Sequence, residues 1–139
     1  MLKTTVHDCA LIRLPKISER KGAITAIYSG VHLPFDIRRV FYLYDVPGGE
    51  GRGAHAHRDL HQLIISVMGA FDVVLDDGTE QRRVRLDRAY YGLHIVPMIW
   101  AHEEAFSSGG ICLVLASMPY NEKDYIRDYD TFLREKQRV

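Results

Sequence analysis

Short runs of β-branched and aromatic residues, separated by glycine, proline and aspartate, dominate the chain from about residue 11 to residue 119. This spacing is typical of antiparallel strands in a sandwich or barrel. The pattern predicts strands at residues 23–28, 39–45, 61–67, 71–75, 81–86, 92–96 and 111–117. Residues 76–78, Asp-Asp-Gly, are suited to a tight hairpin turn between two of these strands. We therefore expect an all-β fold.

The hydrophobic period changes only near the C-terminus. In residues 121–138 four apolar residues fall on one helical face: Tyr125, Tyr129, Phe132 and Leu133. Asn121 is suited to cap this helix, and Asp124 would accept hydrogen bonds from amides of its first turn. The pattern predicts one amphipathic helix that lies over one end of the sheets.

The length and composition are those of one soluble domain. The 139 residues are 47% hydrophobic and 26% charged, which is enough for one core but not for two. We expect residues 1–139 to form a single domain. The chain has 18 Lys and Arg against 18 Asp and Glu, so its formal net charge is zero. The absence of a net positive charge argues against a nucleic-acid-binding protein.

Neither a membrane span nor a disulfide framework is indicated. No stretch approaches the roughly 18 apolar residues that a spanning helix needs, and charged residues interrupt residues 1–22. Cys9 and Cys112 are far apart, and neither belongs to a CxxC pair. We expect a cytoplasmic protein with reduced thiols and no membrane partner.

Histidines form the main candidate site. Four of the seven fall in two places: His55, His57 and His61, then His102. One residue separates His55 from His57, so an extended strand directs both side chains to the same face. The pair follows a glycine-rich run, residues 47–53, where a packing role explains it poorly. The isolated histidines are expected to be ordinary surface or strand-edge residues: His7, His32 and His94.

The spacing of these histidines resembles the two motifs of the cupin superfamily, whose members are small jelly-roll barrels. The matching residues are Gly49, His55, His57, His61 and Gly69, followed by Gly92, Pro97 and His102. His61 stands where metal-binding cupins usually have Glu, and Ile99 stands where they have Gly. From the residues alone, one metal ion is possible for the set of His55, His57, His61 and His102.

A more specific resemblance is to the dTDP-4-oxo-6-deoxyglucose 3,4-oxoisomerase family. It rests on residues 39–42, 52–57, 73–78, 114–117 and 124–130. The last block has no counterpart in the general cupin pattern. The resemblance implies a cupin-type jelly-roll homodimer that moves the carbonyl of a nucleotide-linked 4-keto-6-deoxy sugar from C4 to C3 without a metal. Its product would pass to a transaminase and end in a surface glycan.

The same resemblance implies roles for individual residues. The paired catalytic histidines of the family correspond to His55 and His57, and its active-site tyrosine corresponds to Tyr42. The expected substrate contacts are Arg39, Arg52, Gln62 and His102. Two positions differ from the family pattern. His61 replaces an expected Glu, and Trp100-Ala101-His102 replaces a Trp-His pair.

The chemistry of this reaction suits histidine. C3 lies next to the C4 ketone, so a base with a pKa near 6.5 removes its proton at neutral pH. His57 is the candidate base, and Tyr42 or His55 would donate a hydrogen bond to the enediolate oxygen. Arg52 and the pair of Arg38 and Arg39 are candidates for the diphosphate. The reaction needs no redox cofactor, and the chain contains neither a GxGxxG motif nor a P-loop.

Other functions stay open at this point. A metal-dependent cupin enzyme would use the four histidines as ligands. A non-catalytic sugar-binding cupin would keep the pocket without turnover. A 3,5-epimerase acting on the same substrate would begin with the same proton abstraction but would also have to reach C5.

Overall fold

A computed structural model describes residues 3–138. The first strands in these residues are β1 (Ala10–Arg13), β2 (Ile17–Glu19), β3 (Gly22–Ile24), β4 (Arg39–Leu43), β5 (Arg52–His57) and β6 (Gln62–Met68). They are followed by β7 (Phe71–Asp76), β8 (Gln81–Leu86), β9 (Tyr91–Ile95), β10 (Trp100–Glu104), β11 (Ile111–Ala116), β12 (Tyr125–Ile126) and the helix α1 (Tyr129–Gln137). Short 3-10 turns occupy Val6–Asp8 and Glu122–Asp124.

Most of the strands form two antiparallel sheets. Sheet I has the order β1-β9-β6-β11-β4, and sheet II has the order β12-β5-β10-β7-β8. The strands β2 and β3 form a separate hairpin. The two sheets face each other as a jelly-roll sandwich, and the predicted all-β fold with a short C-terminal helix is confirmed.

The inner faces of both sheets meet in one apolar core. Sheet I contributes Ile64, Leu93 and Val114, and sheet II contributes Phe71, Val73 and Leu75. Full burial of such a side chain stabilises the folded state by roughly 1.5 to 3 kcal/mol. Because alternate residues of a strand point to opposite faces, each strand has one set of side chains between the sheets and another set on the outer surface.

The predicted turn at residues 76–78 joins β7 to β8. Asp76 pairs with Gln81 at the end of the ladder, and Gly78 has a φ of 91°. The Asp77 Oδ1 atom accepts hydrogen bonds from the amides of Thr79 and Glu80 at 2.9 and 2.8 Å. The turn therefore has the chemistry that the sequence predicted.

The C-terminal helix is shorter than predicted. Asn121 caps only a 3-10 turn, and α1 begins after Asp128, whose carboxylate accepts a hydrogen bond from Thr131 N at 2.9 Å. Between them, β12 pairs with β5, so strand pairing replaces helix there. The prediction of one helix from residue 121 is wrong because these contacts with the sandwich outweigh the local helical pattern. No helix in residues 3–138 is long and apolar enough to span a membrane.

The helix α1 covers one end of sheet II through aromatic contacts. The Trp100 ring lies 5.3 Å from that of Tyr129 and 5.8 Å from that of Phe132, measured between centroids. Phe132 is completely buried, together with Ala56 and Ile126. This small cluster fixes the segment before α1 against β5.

The observed strands differ from the predicted ones at several other places. Of the strand expected at residues 23–28, only the first residues belong to β3, because β2 offers a partner just three residues long. Five strands were not in the predicted set: β1, β2, β5, β10 and β12. His61 lies outside β6, and its amide donates a hydrogen bond to Ser117 Oγ.

Candidate active site

A cavity of about 150 Å³, open to solvent, lies between the two sheets. Its polar lining consists of Arg52, His55, His57, Gln62, Glu103 and Tyr125. Its apolar lining includes Phe41, Leu43, Ile64 and Val114 from sheet I. A concave site with this mixture of apolar walls and a few converging polar groups is typical of small-molecule binding sites.

The two histidines of β5 face this cavity together. The rings of His55 and His57 are perpendicular, with centroids 4.9 Å apart. Tyr125 of β12 packs against both, at 4.9 Å from His55 and 4.4 Å from His57. The alternation of side chains along β5 therefore produces the convergence that the His-Ala-His spacing predicted.

A buried carboxylate orients His57. The Nδ1 atom of His57 lies 2.9 Å from Oδ2 of Asp124, and both side chains are almost inaccessible to solvent. The other oxygen, Oδ1, accepts a hydrogen bond from the Asp59 amide at 2.7 Å. With Nδ1–H donating to the carboxylate, the Nε2 atom of His57 keeps its lone pair. A histidine held in this tautomer is suited to act as a base.

Burial keeps both histidines neutral. Desolvation lowers the pKa of His57, and the hydrogen bond and negative charge of Asp124 oppose that shift. Desolvation, then the neighbouring His57, lower the pKa of His55 to about 4. At neutral pH both imidazoles therefore carry a free lone pair.

Arg39 lies beside the cavity with an unused donor. Its guanidinium stacks on the rings of Phe41 and Tyr120, at 5.0 and 5.5 Å from their centroids. Its positive charge contributes to the lowered pKa of His57. Within residues 3–138 its buried Nε has no hydrogen-bond partner. Since buried donors are rarely left unpaired, this N–H is available to a ligand.

Tyr42 and His102 do not face the cavity. On β4, Phe41 and Leu43 line the cavity, so alternation directs Tyr42 to the outer face, where 59% of it is exposed. On β10, Ala101 lies opposite His55, and His102 therefore points outward to a hydrogen bond with Glu104 at 2.9 Å. The prediction that Tyr42 and His102 lie at the site is therefore wrong. In both strands the cause is the two-residue period, which directs neighbouring side chains to opposite faces.

The four-histidine metal site is not assembled. His61 lies on the outer side of sheet I, where its Nδ1 is 3.0 Å from Nε2 of His94. His55 and His57 face inward and His102 outward, so the four rings do not converge. No group of three or more His, Cys, Asp or Glu side chains in residues 3–138 is arranged to hold a metal ion. The expectation that His94 is an ordinary strand-edge residue is also wrong, since it is buried and paired with His61.

Three further residues at the site were not among the candidates. Asp124 and Tyr125 belong to a sequence block used for the family resemblance, but the helical pattern concealed their contact with His57. Glu103 lines the cavity next to Arg52 and is buried. Nothing in the local sequence distinguishes Glu103 from the outward-facing Glu104.

Comparison with known proteins identifies the family. The family model described as "FdtA: WxcM-like, C-terminal" matches residues 7–137. A TDP-4-oxo-6-deoxy-alpha-D-glucose-3,4-oxoisomerase from Aneurinibacillus thermoaerophilus is 41% identical over 122 residues, 88% of each chain. This chain belongs to the sugar 3,4-ketoisomerase family. It is an isomerase with a cupin-type fold, and the metal-dependent and epimerase alternatives are not favoured.

Solved ketoisomerase structures share the whole architecture. QdtA from Thermoanaerobacterium thermosaccharolyticum in complex with TDP superposes with a TM-score of 0.93 at 36% identity, covering 96% of this chain and 98% of QdtA. A histidine-to-asparagine variant of QdtA in complex with TDP-4-keto-6-deoxyglucose gives the same TM-score at 35% identity, covering 96% and 97% of the two chains. The ketoisomerase fold therefore accounts for nearly all of the described residues.

Proposed function

We propose that this chain converts dTDP-4-oxo-6-deoxyglucose into the corresponding 3-oxo-6-deoxy sugar. The observation that carries the proposal is the buried pair of His57 and Asp124, 2.9 Å apart, at the wall of a cavity that also holds His55. The relative from Aneurinibacillus thermoaerophilus is named for this substrate, and QdtA binds it in a variant form. A nucleotide sugar also suits a cavity with arginines beside it.

In the proposed mechanism His57 is the catalytic base. Its Nε2 removes the proton from C3, and Asp124 stabilises the imidazolium that results. The electron pair moves toward the C4 oxygen, which becomes an enediolate. His55, neutral and close to His57, is the proposed hydrogen-bond donor to that oxygen in place of Tyr42. Proton return at C4 and loss of the C3 hydroxyl proton complete the isomerisation.

The proposed substrate contacts use the cations and amides at the cavity. Arg52 lines it, and Arg39 offers its unpaired Nε–H. Guanidinium groups bind phosphate oxygens well, so these residues are assigned to the diphosphate. Gln62, almost buried in the lining, is assigned to a sugar hydroxyl. The new C3 ketone is the group that a transaminase requires, which fits synthesis of an amino sugar for a glycan.

We also propose that the chain acts as a homodimer, with residues 1–139 as one domain of each subunit. On the outer face of sheet I, Val40 and Tyr42 are 55% and 59% exposed. The hairpin of β2 and β3 exposes Ile17 and Ile24 as well, at 64% and 61%. Exposed apolar side chains of this kind are typical of a protein interface, and identical subunits most often pair across a twofold axis.

Proton NMR in deuterated buffer tests the reaction. Untagged, EDTA-treated protein is incubated with dTDP-4-oxo-6-deoxyglucose, and we expect loss of the C3 hydrogen signal together with growth of a 3-keto product. His57→Asn should lower turnover by at least about 10²-fold, the effect of losing a general base. His102→Asn, on the outer face, serves as the matched control and should keep wild-type turnover. Binding of the substrate without either NMR change would instead indicate a sugar-binding module.

A further inference from the structure

A carboxylic acid occupies the inner wall of the cavity at Glu103. The side chain points inward from β10, whereas its neighbours His102 and Glu104 point outward and bond to each other. Only 8% of Glu103 is exposed. In the register of sheet II it lies opposite Val73, a fully buried core residue. Such a position normally holds an apolar side chain, so an ionisable one requires an explanation.

The surrounding chain makes room for this carboxyl without pairing it. In residues 3–138 no other residue donates a hydrogen bond to it, and Arg52 contributes only through its charge. A side chain at Gly53 would collide with Oε2 of Glu103, and Gly53 has a φ of 85°. The glycine therefore leaves space for the carboxyl, which faces the cavity beside the histidines.

The buried carboxyl holds its proton at neutral pH in a large fraction of molecules. Desolvation raises the pKa of Glu103 to about 7, and its own amide and the positive charge of Arg52 limit the shift. A protonated carboxyl offers one O–H donor and one carbonyl acceptor side by side. An ionised carboxylate accepts hydrogen bonds but donates none, and an apolar side chain does neither.

The isomerisation needs a second proton transfer that His57 does not provide. One proton moves from C3 to C4, and another must leave the C3 hydroxyl and reach the C4 oxygen. We propose that Glu103 is a catalytic residue that carries this second proton between the two oxygen atoms of the enediol. This role rests on the proposed function and adds a group to its mechanism.

The proposed transfer leaves the enzyme unchanged. The Glu103 O–H bond breaks and its proton goes to the negatively charged C4 oxygen of the enediolate, which forms an O–H bond, so the negative charge passes to the Glu103 carboxylate. The C3 O–H bond breaks as C4 is protonated, the C3 carbonyl forms, and that proton goes to the other Glu103 oxygen. The two oxygens of a carboxyl lie side by side like those of the enediol, whereas the ring nitrogens of His55 point in diverging directions.

Separating hydrogen exchange from product formation tests this role. In deuterated buffer, Glu103→Gln should still exchange the C3 hydrogen of dTDP-4-oxo-6-deoxyglucose, at a rate within about threefold of wild type, because His57 is intact. Formation of the 3-keto product should fall by at least about 10²-fold, since an amide forms hydrogen bonds but does not relay a proton. Glu104→Gln on the outer face is the matched control and should change neither rate.

The outcomes distinguish this role from the proposed function itself. Wild-type protein that neither exchanges nor converts the sugar overturns the function and the role together. Conversion by Glu103→Gln at the wild-type rate overturns only the role, as does an equal loss of exchange and conversion. If a lowered thermal midpoint shows that Glu103→Gln is poorly folded, Glu103→Met replaces it, because methionine fills the same space with an apolar group. The same result is expected: retained exchange of the C3 hydrogen and reduced formation of the 3-keto product.

Discussion

A single hydrogen bond determines which nitrogen of His57 reacts. Asp124 accepts from Nδ1 and is itself held by the Asp59 amide, so the carboxylate cannot easily move away. The negative charge also raises the pKa of His57 against the effect of burial. Orientation and basicity therefore both depend on one residue outside the His-Ala-His motif.

Asp124→Asn is expected to lower kcat by at least about 10²-fold with little change in KM, because an amide donor favours the wrong tautomer of His57. Loss of the negative charge also lowers the pKa of His57. The acid limb of the rate against pH, which reports protonation of the base, should consequently shift to lower pH. Steady-state kinetics from pH 5 to 8 measure both effects.

Asp128→Asn is the matched control for that experiment. Asp128 caps α1, and asparagine caps helices about as well as aspartate. This variant should keep the wild-type kcat and pH profile. An unchanged kcat in Asp124→Asn would contradict the assigned role of the carboxylate.

The pair of His61 and His94 makes stability depend on pH. Burial, then the charge of His61, lower the pKa of His94 to about 4 in the folded chain, from 6.5 when unfolded. Between those values the unfolded chain binds a proton that the folded chain does not. The free energy of unfolding should therefore fall as pH decreases from 6.5 to 4, by about 3 kcal/mol for this group.

His94→Gln should remove the contribution of His94 to this pH-dependent decrease in the free energy of unfolding. Denaturant unfolding at pH 7 and pH 4.5 measures it, with His7→Gln on the exposed surface as the control. Between pH 7 and pH 4.5, the free energy of unfolding should decrease less in the His94 variant than in the wild type or the control. Equal decreases in all three proteins would show that folding does not lower the pKa of His94.

At the scale of elements, Arg58 ties the segment before α1 to the strand that carries the histidines. Its guanidinium donates to the carbonyls of Lys123 and Tyr125 at 2.7 and 2.9 Å. It also forms a two-point ion pair with Glu135 of α1. The position of Asp124 relative to His57 therefore depends on contacts made by its neighbours.

Arg58→Gln is expected to loosen this segment. The loss of two hydrogen bonds to carbonyls and of the ion pair should lower the free energy of unfolding by about 1 to 3 kcal/mol and also lower kcat. Glu135→Gln, which removes only the ion pair, should have the smaller effect on both. Thermal unfolding and turnover of the two variants test this order, and equal effects would contradict it.

The same segment shows where local sequence patterns fail. Tyr125, Tyr129 and Phe132 have helical spacing, yet Tyr125 lies in a strand because it pairs with His57 across the sheet. The turn at residues 76–78 was predictable because its hydrogen bonds are local. Asp124 was not, since its partners His57 and Asp59 are far away in the chain.

At the scale of the whole molecule, the pattern of short apolar runs between turn residues was sufficient to predict antiparallel strands in a sandwich or barrel. It did not assign the faces of β4 and β10, since a shift of one residue exchanges inside and outside. A register irregularity between Ala101 and Glu103 adds to this difficulty. Tyr42 and His102 were therefore placed on the wrong side, and Glu103 was overlooked.

Tyr42→Asp should convert the proposed dimer to a monomer by placing a charge on the outer face of sheet I. Light scattering should give about twice 15.9 kDa for the wild type and 15.9 kDa for the variant. Leu11→Asp, on the edge strand β1, is the control and should stay dimeric. A wild-type particle of 15.9 kDa would contradict the proposed assembly.

The packing of α1 on Trp100 gives this protein a built-in optical reporter. Trp100 is the chain's one tryptophan, and the rings that cover it follow closely after Asp124. Detachment of the C-terminal segment would thus expose the indole to water and deprive His57 of its carboxylate in the same event. In a denaturant titration, the red shift of tryptophan emission should follow the loss of turnover point by point, whether or not circular dichroism shows the strands unfolding at the same concentration.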